Sequence, residues 1–197
     1  MAGDAEVGHS PNRSAPGPIR ILLDGIDALC RIDGWMAAVC LALLTLLILA
    51  EITVRALSHY FPSVPADIPV AWEYSSYLMA ATFTFGAAMT LRSGGHIRVT
   101  LLLARLPVPL RRAAEVLVSA AGLMMAGFLT YAMFRFTYEA FSRGQTSISS
   151  DTRLWIPQAI VTFGILLLAL QFFARFIQAL LGLPLEDQRL KVTTLSE

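Results

Sequence analysis

The sequence predicts an all-α integral membrane protein with four transmembrane helices, preceded by an amphipathic helix at the membrane interface. Hydrophobic residues make up 56% of its 197 residues and charged residues only 15%, whereas soluble domains are about a quarter charged. Charges are concentrated outside the middle of four long apolar segments, and about 20 such residues cross a hydrocarbon core of roughly 30 Å. The net charge of +1 gives no reason to expect a nucleic-acid partner.

The N-terminal region divides into two parts. Residues 1–18 are rich in Gly, Pro, Ser and Ala, which predicts a disordered cytoplasmic segment. Residues 19–34 place apolar and charged side chains on opposite faces of a helix, which predicts an amphipathic helix at the membrane surface. An uninterrupted extension of the first span is the alternative. The apolar face comprises Ile19, Leu22, Leu23, Ile26, Leu29 and Cys30, and the charged face comprises Arg20, Asp24, Asp27 and Arg31.

A four-helix membrane domain is predicted over residues 35–181, with spans at about 35–54, 72–91, 113–134 and 154–176, and a cytoplasmic tail over 182–197. The second span is rich in small residues, which predicts packing against other protein, because small side chains let helix backbones approach closely in lipid. Gly122 and Ala126 give the third span a similar packing pattern. Gln171 and Gln178 lie on one face of the fourth span and could hydrogen-bond to another helix.

Three charged residues at the ends of the spans are candidates for function. Glu51 and Arg55 are four residues apart and can pair on one helix face. A carboxylate inside a membrane is a functional hypothesis by default, but the position near the end of the span favours a structural pair. Glu73 lies in the first turn of the second span, where it complements the helix dipole. A contact between Glu73 and a partner subunit is the alternative, and both remain open.

The loop at residues 91–112 is the most basic short segment, with five arginines and no acidic residue. Gly94 and Gly95 are expected to end the second helix. His96 is expected to hydrogen-bond at that helix end, since no second His or Cys lies nearby to make a metal site. We hypothesise that Gly94, Gly95, His96 and Arg98 shape the loop for subunit assembly or contact with membrane lipid.

The distribution of basic residues predicts the orientation. With both termini and the loop at 91–112 in the cytoplasm, eleven Lys and Arg residues lie inside and four lie outside. Basic residues accumulate on the cytoplasmic side of membrane proteins. The sequence therefore predicts four spans with both termini cytoplasmic.

The sequence gives no indication of catalysis. It contains no nucleotide-binding, zinc-protease or serine-hydrolase motif, and no span carries a charged residue near its midpoint. A structural or accessory role is favoured over an enzyme. Two alternatives remain: a four-span membrane enzyme that uses Glu51, Arg55 and Glu73, and a small self-sufficient dimeric exporter, which would need a carboxylate near the middle of a span.

A resemblance to a known family rests on residues around the basic loop. They are Glu73, the small-residue run S-Y-L-M-A-A-T-F-T-F-G-A-A-M-T-L-R at 76–92, and G-G-H-I-R-V at 94–99. Leu106-Pro107 and Ile156-Pro157 add to it. With these features the sequence resembles the small membrane subunit, of the Q type, of TRAP (tripartite ATP-independent periplasmic) transporters, over about residues 35–181.

The resemblance implies partners and a location. A large membrane subunit would carry the substrate and sodium sites, and a periplasmic binding protein would deliver an organic acid. The small subunit would brace the large one, help to dock the binding protein and need no cofactor of its own. The complex would lie in the inner (cytoplasmic) membrane of a bacterium. On this basis the chain alone is expected to transport nothing.

Overall fold

The computed structural model describes residues 16–61, 65–92 and 107–183. Within these ranges the chain forms four α-helices: α1 (Gly17–Tyr60), α2 (Ala71–Arg92), α3 (Val108–Ser142) and α4 (Trp155–Leu181). The only β-type pairing in the described part is an isolated bridge between Thr146 and Arg153 in the α3–α4 loop. The all-α prediction is therefore confirmed.

Three segments are long and apolar enough to cross a membrane, judged by length and composition: Gly17–Tyr60, Leu110–Ser142 and Trp155–Leu181. Helix α2 has 22 residues but is less apolar, because many of its residues are small or carry hydroxyl groups. Among the described residues, three of the four predicted spans thus meet this criterion.

Helix α1 differs from the sequence prediction because it is continuous over 44 residues, about 66 Å at 1.5 Å per residue. The sequence predicted a separate amphipathic helix that ends before a span beginning at Trp35. The junction Asp33-Gly34-Trp35 contains no proline, and Gly34 packs against Met89 of α2. Nothing at this point interrupts the ladder of backbone hydrogen bonds, so the amphipathic segment forms the first part of α1.

The contact face of α1 is a narrow stripe whose members alternate three and four residues apart. This is the spacing of a coiled-coil seam, in which two helices stay in contact over many turns. Leu22 and Leu29, which were predicted on the apolar face, lie off the stripe and are exposed. Its residues are Ile19, Leu23, Ile26, Cys30, Asp33, Ala37, Cys40, Leu44, Leu47, Glu51, Val54 and Ser58, with Asp24, Asp27 and Gly34 beside it.

The four helices run alternately up and down. Asp27 of α1 pairs with Arg92 of α2, and Arg112 of α3 contacts the last turn of α4, so these residues share one end of the bundle, here called the inner end. Glu51, Tyr74 and Thr152 mark the opposite, outer end. Helix α4 packs against α1, α2 and α3, whereas α3 packs mainly against α4.

Several other helix ends also lie beyond the predicted spans. Helix α3 continues to Ser142, into the segment 135–153 that was predicted as a loop. Glu139 forms i,i+4 ion pairs with Arg135 and Arg143, which support the added turns. Helix α4 extends five residues beyond the predicted span and stops where Gly182 adopts a left-handed conformation with φ of 69°. Gly is the residue that most often ends a helix in this conformation, so the sequence itself indicates this end.

Glycines mark the points where helices approach most closely. A Cβ atom added to Gly164 of α4 would lie 2.8 Å from the Cβ of Thr84 in α2. One added to Gly122 of α3 would lie 2.3 Å from the Phe172 ring of α4, which agrees with the packing pattern predicted around Gly122. Burial against lipid gives no hydrophobic gain, so contacts of this kind hold membrane helices together.

We expect Gly164→Ala to destabilise the protein by about 1–3 kcal/mol, the usual cost of overpacking a well-packed site. The Cβ of Thr84 cannot move out of the way by a side-chain rotation. Gly127→Ala is the matched control, since a Cβ atom at Gly127 meets nothing within 4 Å. Thermal unfolding in detergent should show a lower midpoint for Gly164→Ala only. Equal midpoints for the two variants would contradict this packing.

Candidate functional site

The inner end holds a buried cluster of charged side chains where α1, α2 and α4 meet. It contains Asp27 and Asp33 from α1, Arg92 from α2 and Arg175 from α4, all less than 9% exposed. Removing an ion from water costs several kcal/mol unless a partner compensates. The ion pair between Asp27 and Arg92 compensates part of this cost.

Hydrogen bonds within the cluster join the three helices. Asp27 and Arg92 form an ion pair between α1 and α2. Arg175 donates from Nη1 to the backbone oxygen of Leu91 at 2.9 Å, and a cation at the end of α2 complements its helix dipole. The Cys30 thiol donates to Oε1 of Gln171 at 3.1 Å. The prediction that Gln171 bonds to another helix is therefore confirmed.

Asp33 is the most deeply buried charged residue of the cluster. Its side chain is 0% exposed, and neither of its carboxylate oxygens has a hydrogen-bond partner in the structure. Nη2 of Arg175 also lacks a hydrogen-bond partner there, although it is buried. The cluster thus combines satisfied contacts between helices with polar atoms that are buried and unbonded.

The sequence prediction missed this cluster. It placed Asp27 on the solvent-facing side of an interfacial helix and counted Arg92 and Arg175 only toward orientation. A signal was nevertheless present, because Asp33 follows Cys30 by three residues and precedes Ala37 by four. That alternation continues the stripe begun by Ile19 and Leu23, and it would have indicated that Asp33 faces inward.

A second inner contact joins α3 to α4. Arg112 donates from Nε to the backbone oxygen of Ala179 at 3.3 Å and from a terminal nitrogen to that of Leu180. These carbonyl groups lie in the last turn of α4, where helices lack internal donors. Two arginines of the basic segment 91–112, Arg92 and Arg112, thus have structural roles inside the chain.

At the outer end, Glu51 and Arg55 form the predicted pair, with Nη2 of Arg55 3.0 Å from Oε1 of Glu51. The other carboxylate oxygen of Glu51 accepts a hydrogen bond from the Ile68 backbone N–H at 2.8 Å. Glu51 therefore fixes the α1–α2 connection to α1. Spacing within one helix could not indicate this second contact.

Glu73 lies in the first turn of α2 and accepts a hydrogen bond from the Tyr77 hydroxyl at 2.5 Å. Ser147 and Ser150 of the α3–α4 loop also interact with its carboxylate. The neighbouring Tyr74 hydroxyl lies 2.9 Å from Oγ1 of Thr152 in the same loop. Glu73 thus faces a loop of its own chain, and its proposed contact with a partner subunit stays a prediction.

Gly94, Gly95, His96 and Arg98 lie outside the described residues, so their predicted role in the basic loop stays a prediction. In the described part of the chain, no group of three or more His, Cys, Asp or Glu side chains is arranged to hold a metal ion.

Comparison with known proteins gives a family. The family model of the DctQ component of tripartite ATP-independent periplasmic transporters matches residues 44–182, which is more than half of the chain. The chain belongs to this family. No curated protein and no solved structure matches it significantly.

The match places this DctQ-family subunit in a tripartite transporter. It covers the whole of α2, α3 and α4. It also covers residues 44–60 of α1, so Glu51 and Arg55 lie within it, as does Glu73 of α2. Residues 17–43 of α1 precede the match. The buried cluster thus joins a segment outside the matched region, with Asp27, Cys30 and Asp33, to Arg92, Gln171 and Arg175 within it.

We expect Asp27→Ala to destabilise this DctQ-family subunit by about 3–5 kcal/mol, because removing one member of a buried ion pair leaves the charge of the other less compensated. The double variant Asp27→Ala/Arg92→Ala should cost less than the sum of the single variants. The free energy of unfolding in detergent is measured for the wild type, the two single variants and the double variant.

Arg20→Ala, one to two turns earlier in α1, is the matched control. Arg20 pairs with Asp24 at 3.6 Å in an exposed ion pair, and such pairs contribute about 0–1 kcal/mol. If the losses in free energy of unfolding for Asp27→Ala and Arg92→Ala are additive, and no larger than the loss for Arg20→Ala, the buried pair does not stabilise the bundle.

Proposed function

We propose that this chain is the small membrane subunit of a sodium-coupled TRAP transporter that takes up an organic acid. In this proposal it braces a large transport subunit, helps to dock the periplasmic binding protein and has no enzymatic activity. The family match over residues 44–182 is the observation that carries the proposal.

The position of the charges supports a bracing role. Residues 34–50, 74–91, 116–134 and 154–174 contain no Asp, Glu, Lys or Arg. Among the described residues, the charged side chains therefore lie toward the two ends of the bundle or beyond them. Ion and substrate pathways in membranes usually need charged groups or broken helices at mid-depth. We infer that the translocation site belongs to the large subunit.

We propose further that α2 is the fourth span, although it is less apolar than the others. Its 22 residues extend about 33 Å, enough to cross the hydrocarbon core. The hydroxyl groups of Thr82 and Thr90 donate to backbone oxygens one turn earlier, at 2.8 Å in both cases. Such internal hydrogen bonds satisfy hydroxyl groups that have no water around them.

The proposed orientation places both termini and the inner end in the cytoplasm of a bacterium, as the distribution of basic residues favours. We expect a thiol reagent that cannot cross membranes to label Ser149→Cys from outside but not Ser93→Cys, in a background without Cys30 and Cys40. Ser149 lies in the exposed α3–α4 loop. Labelling of Ser93→Cys from outside intact cells would contradict this topology.

Reconstitution into liposomes tests the function. Sodium-driven uptake should require the large subunit and the binding protein, and it should fall sharply when this chain is omitted. This chain alone should give none, because its spans lack charge at mid-depth. Uptake by this chain alone would instead show that it is a self-sufficient transporter, as the alternative of a small dimeric exporter requires.

A further inference from the structure

Asp33 carries a carboxyl group that the bundle buries without pairing it. The side chain is 0% exposed, and neither of its oxygens has a hydrogen-bond partner in the structure. The residue immediately precedes the charge-free stretch 34–50 of α1. It therefore lies where residues 17–33 of this helix join the part that is free of charge. A buried polar group without a partner needs a physical explanation.

The neighbours of Asp33 on the contact stripe of α1 are small and buried. It lies between Cys30 and Ala37, and the Cys30 thiol donates its hydrogen to α4, so that hydrogen is not available to Asp33. Gly34, the next residue in the chain, packs against Met89 of α2. These contacts supply neither a cation nor a hydrogen-bond donor to the carboxyl group.

The cations of the two helices that pack against α1 are engaged elsewhere. Arg92 and Arg175 are the only basic residues of α2 and α4. Arg92 pairs with Asp27, and Arg175 donates from Nη1 to the Leu91 backbone oxygen at 2.9 Å. Neither arginine forms a hydrogen bond with Asp33. Helix α4 has no other ionisable residue, and those that remain in α2 lie at its outer end: Glu73, Tyr74 and Tyr77.

Burial of this kind favours the neutral acid over the ion. Removing an ionised carboxylate from water costs far more than removing the protonated group, and an unpaired buried carboxylate therefore binds a proton. We propose that Asp33 is a proton-binding site that controls the packing of α1. The bundle closes on the neutral acid, and loss of the proton to water releases residues 17–33 from α2 and α4. This inference rests on the packing of α1 and is independent of the proposed function.

The direction of the pH dependence distinguishes a neutral Asp33 from an ionised one. An aspartate in the unfolded chain is ionised above about pH 4, so folding onto the neutral acid takes up a proton. The stability linked to Asp33 is then complete at low pH and falls as the pH rises, by up to about tenfold in the folding equilibrium constant per pH unit. The fall ends once the folded form also loses its proton. An aspartate that is ion-paired in the folded state gives the opposite sign.

The test compares the full-length wild type with Asp33→Asn, which has nearly the same shape but cannot ionise. The folding equilibrium constant is measured in detergent between about pH 5 and about pH 8, where exposed Asp and Glu side chains stay ionised. We expect the ratio of the wild-type constant to that of Asp33→Asn to fall at least about tenfold across this range. Asp24→Asn is the matched control, because Asp24 pairs with Arg20 on the exposed side of the same helix. The ratio for Asp24→Asn should not fall.

Two outcomes would overturn a neutral Asp33. One is a ratio for Asp33→Asn that stays constant or rises with pH. The other is an infrared difference spectrum, wild type minus variant near neutral pH, without the carbonyl band of a protonated carboxylic acid. If Asp33→Asn does not fold, Asp33→Ala takes its place in both measurements, because alanine leaves no polar atom buried without a partner.

Alkylation of Cys30 tests the release of α1, because this thiol is buried between α1 and α4. In a Cys40→Ala background, raising the pH should speed the alkylation of Cys30 more in the wild type than in Asp33→Asn. The comparison cancels the ionisation of the thiol itself, which both proteins share. An equal increase in the two proteins would show that the proton on Asp33 does not control the packing of residues 17–33.

Discussion

Burial of charge at the inner end is the constraint on which the rest of the bundle depends. Asp27, Asp33, Arg92 and Arg175 lie together at the junction of three helices, and a charge buried without compensation costs several kcal/mol. The ion pair and the Leu91 contact form in only one register of α1, α2 and α4. Dispersion and close packing act along the whole length of the helices, but they tolerate small shifts better than charges do.

The same constraint explains why α1 is one continuous helix. An interfacial helix lying flat on the membrane would turn Asp27 and Arg31 toward water, and Asp33 would need no partner there. In the bundle Arg31 remains exposed, whereas Asp27 pairs with Arg92 of α2 and Asp33 is buried. Because α1 is one continuous helix, its stripe extends from Ile19 at the inner end to Ser58 at the outer end. One helix thus links the buried cluster to the Glu51 contact that fixes the α1–α2 loop.

Most of the fold could be predicted from local sequence. The apolar segments indicated the helices, and Gly182 indicated where α4 ends. The Glu51–Arg55 pair followed from spacing within one helix. Predictions were wrong where tertiary contacts decide. Residues 19–34 have the pattern of an interfacial helix, and only the position of Arg92 in space shows why Asp27 is buried. The sequence also could not show that Ile68 contacts Glu51 or that Thr152 contacts Tyr74. Each of these contacts joins residues far apart in the chain.

Packing of the inner half of α1 against α4 is the central claim, and disulfide trapping tests it most directly. Cys30 donates its thiol to Gln171 at 3.1 Å, so Gln171→Cys in a Cys40→Ala background places two thiols on facing helices. Mild oxidation in native membranes, followed by cleavage at a protease site in the α3–α4 loop, should leave the two fragments covalently joined. Separate fragments, with both thiols still reactive toward a membrane-permeant reagent, would show that residues 19–33 lie apart from the bundle.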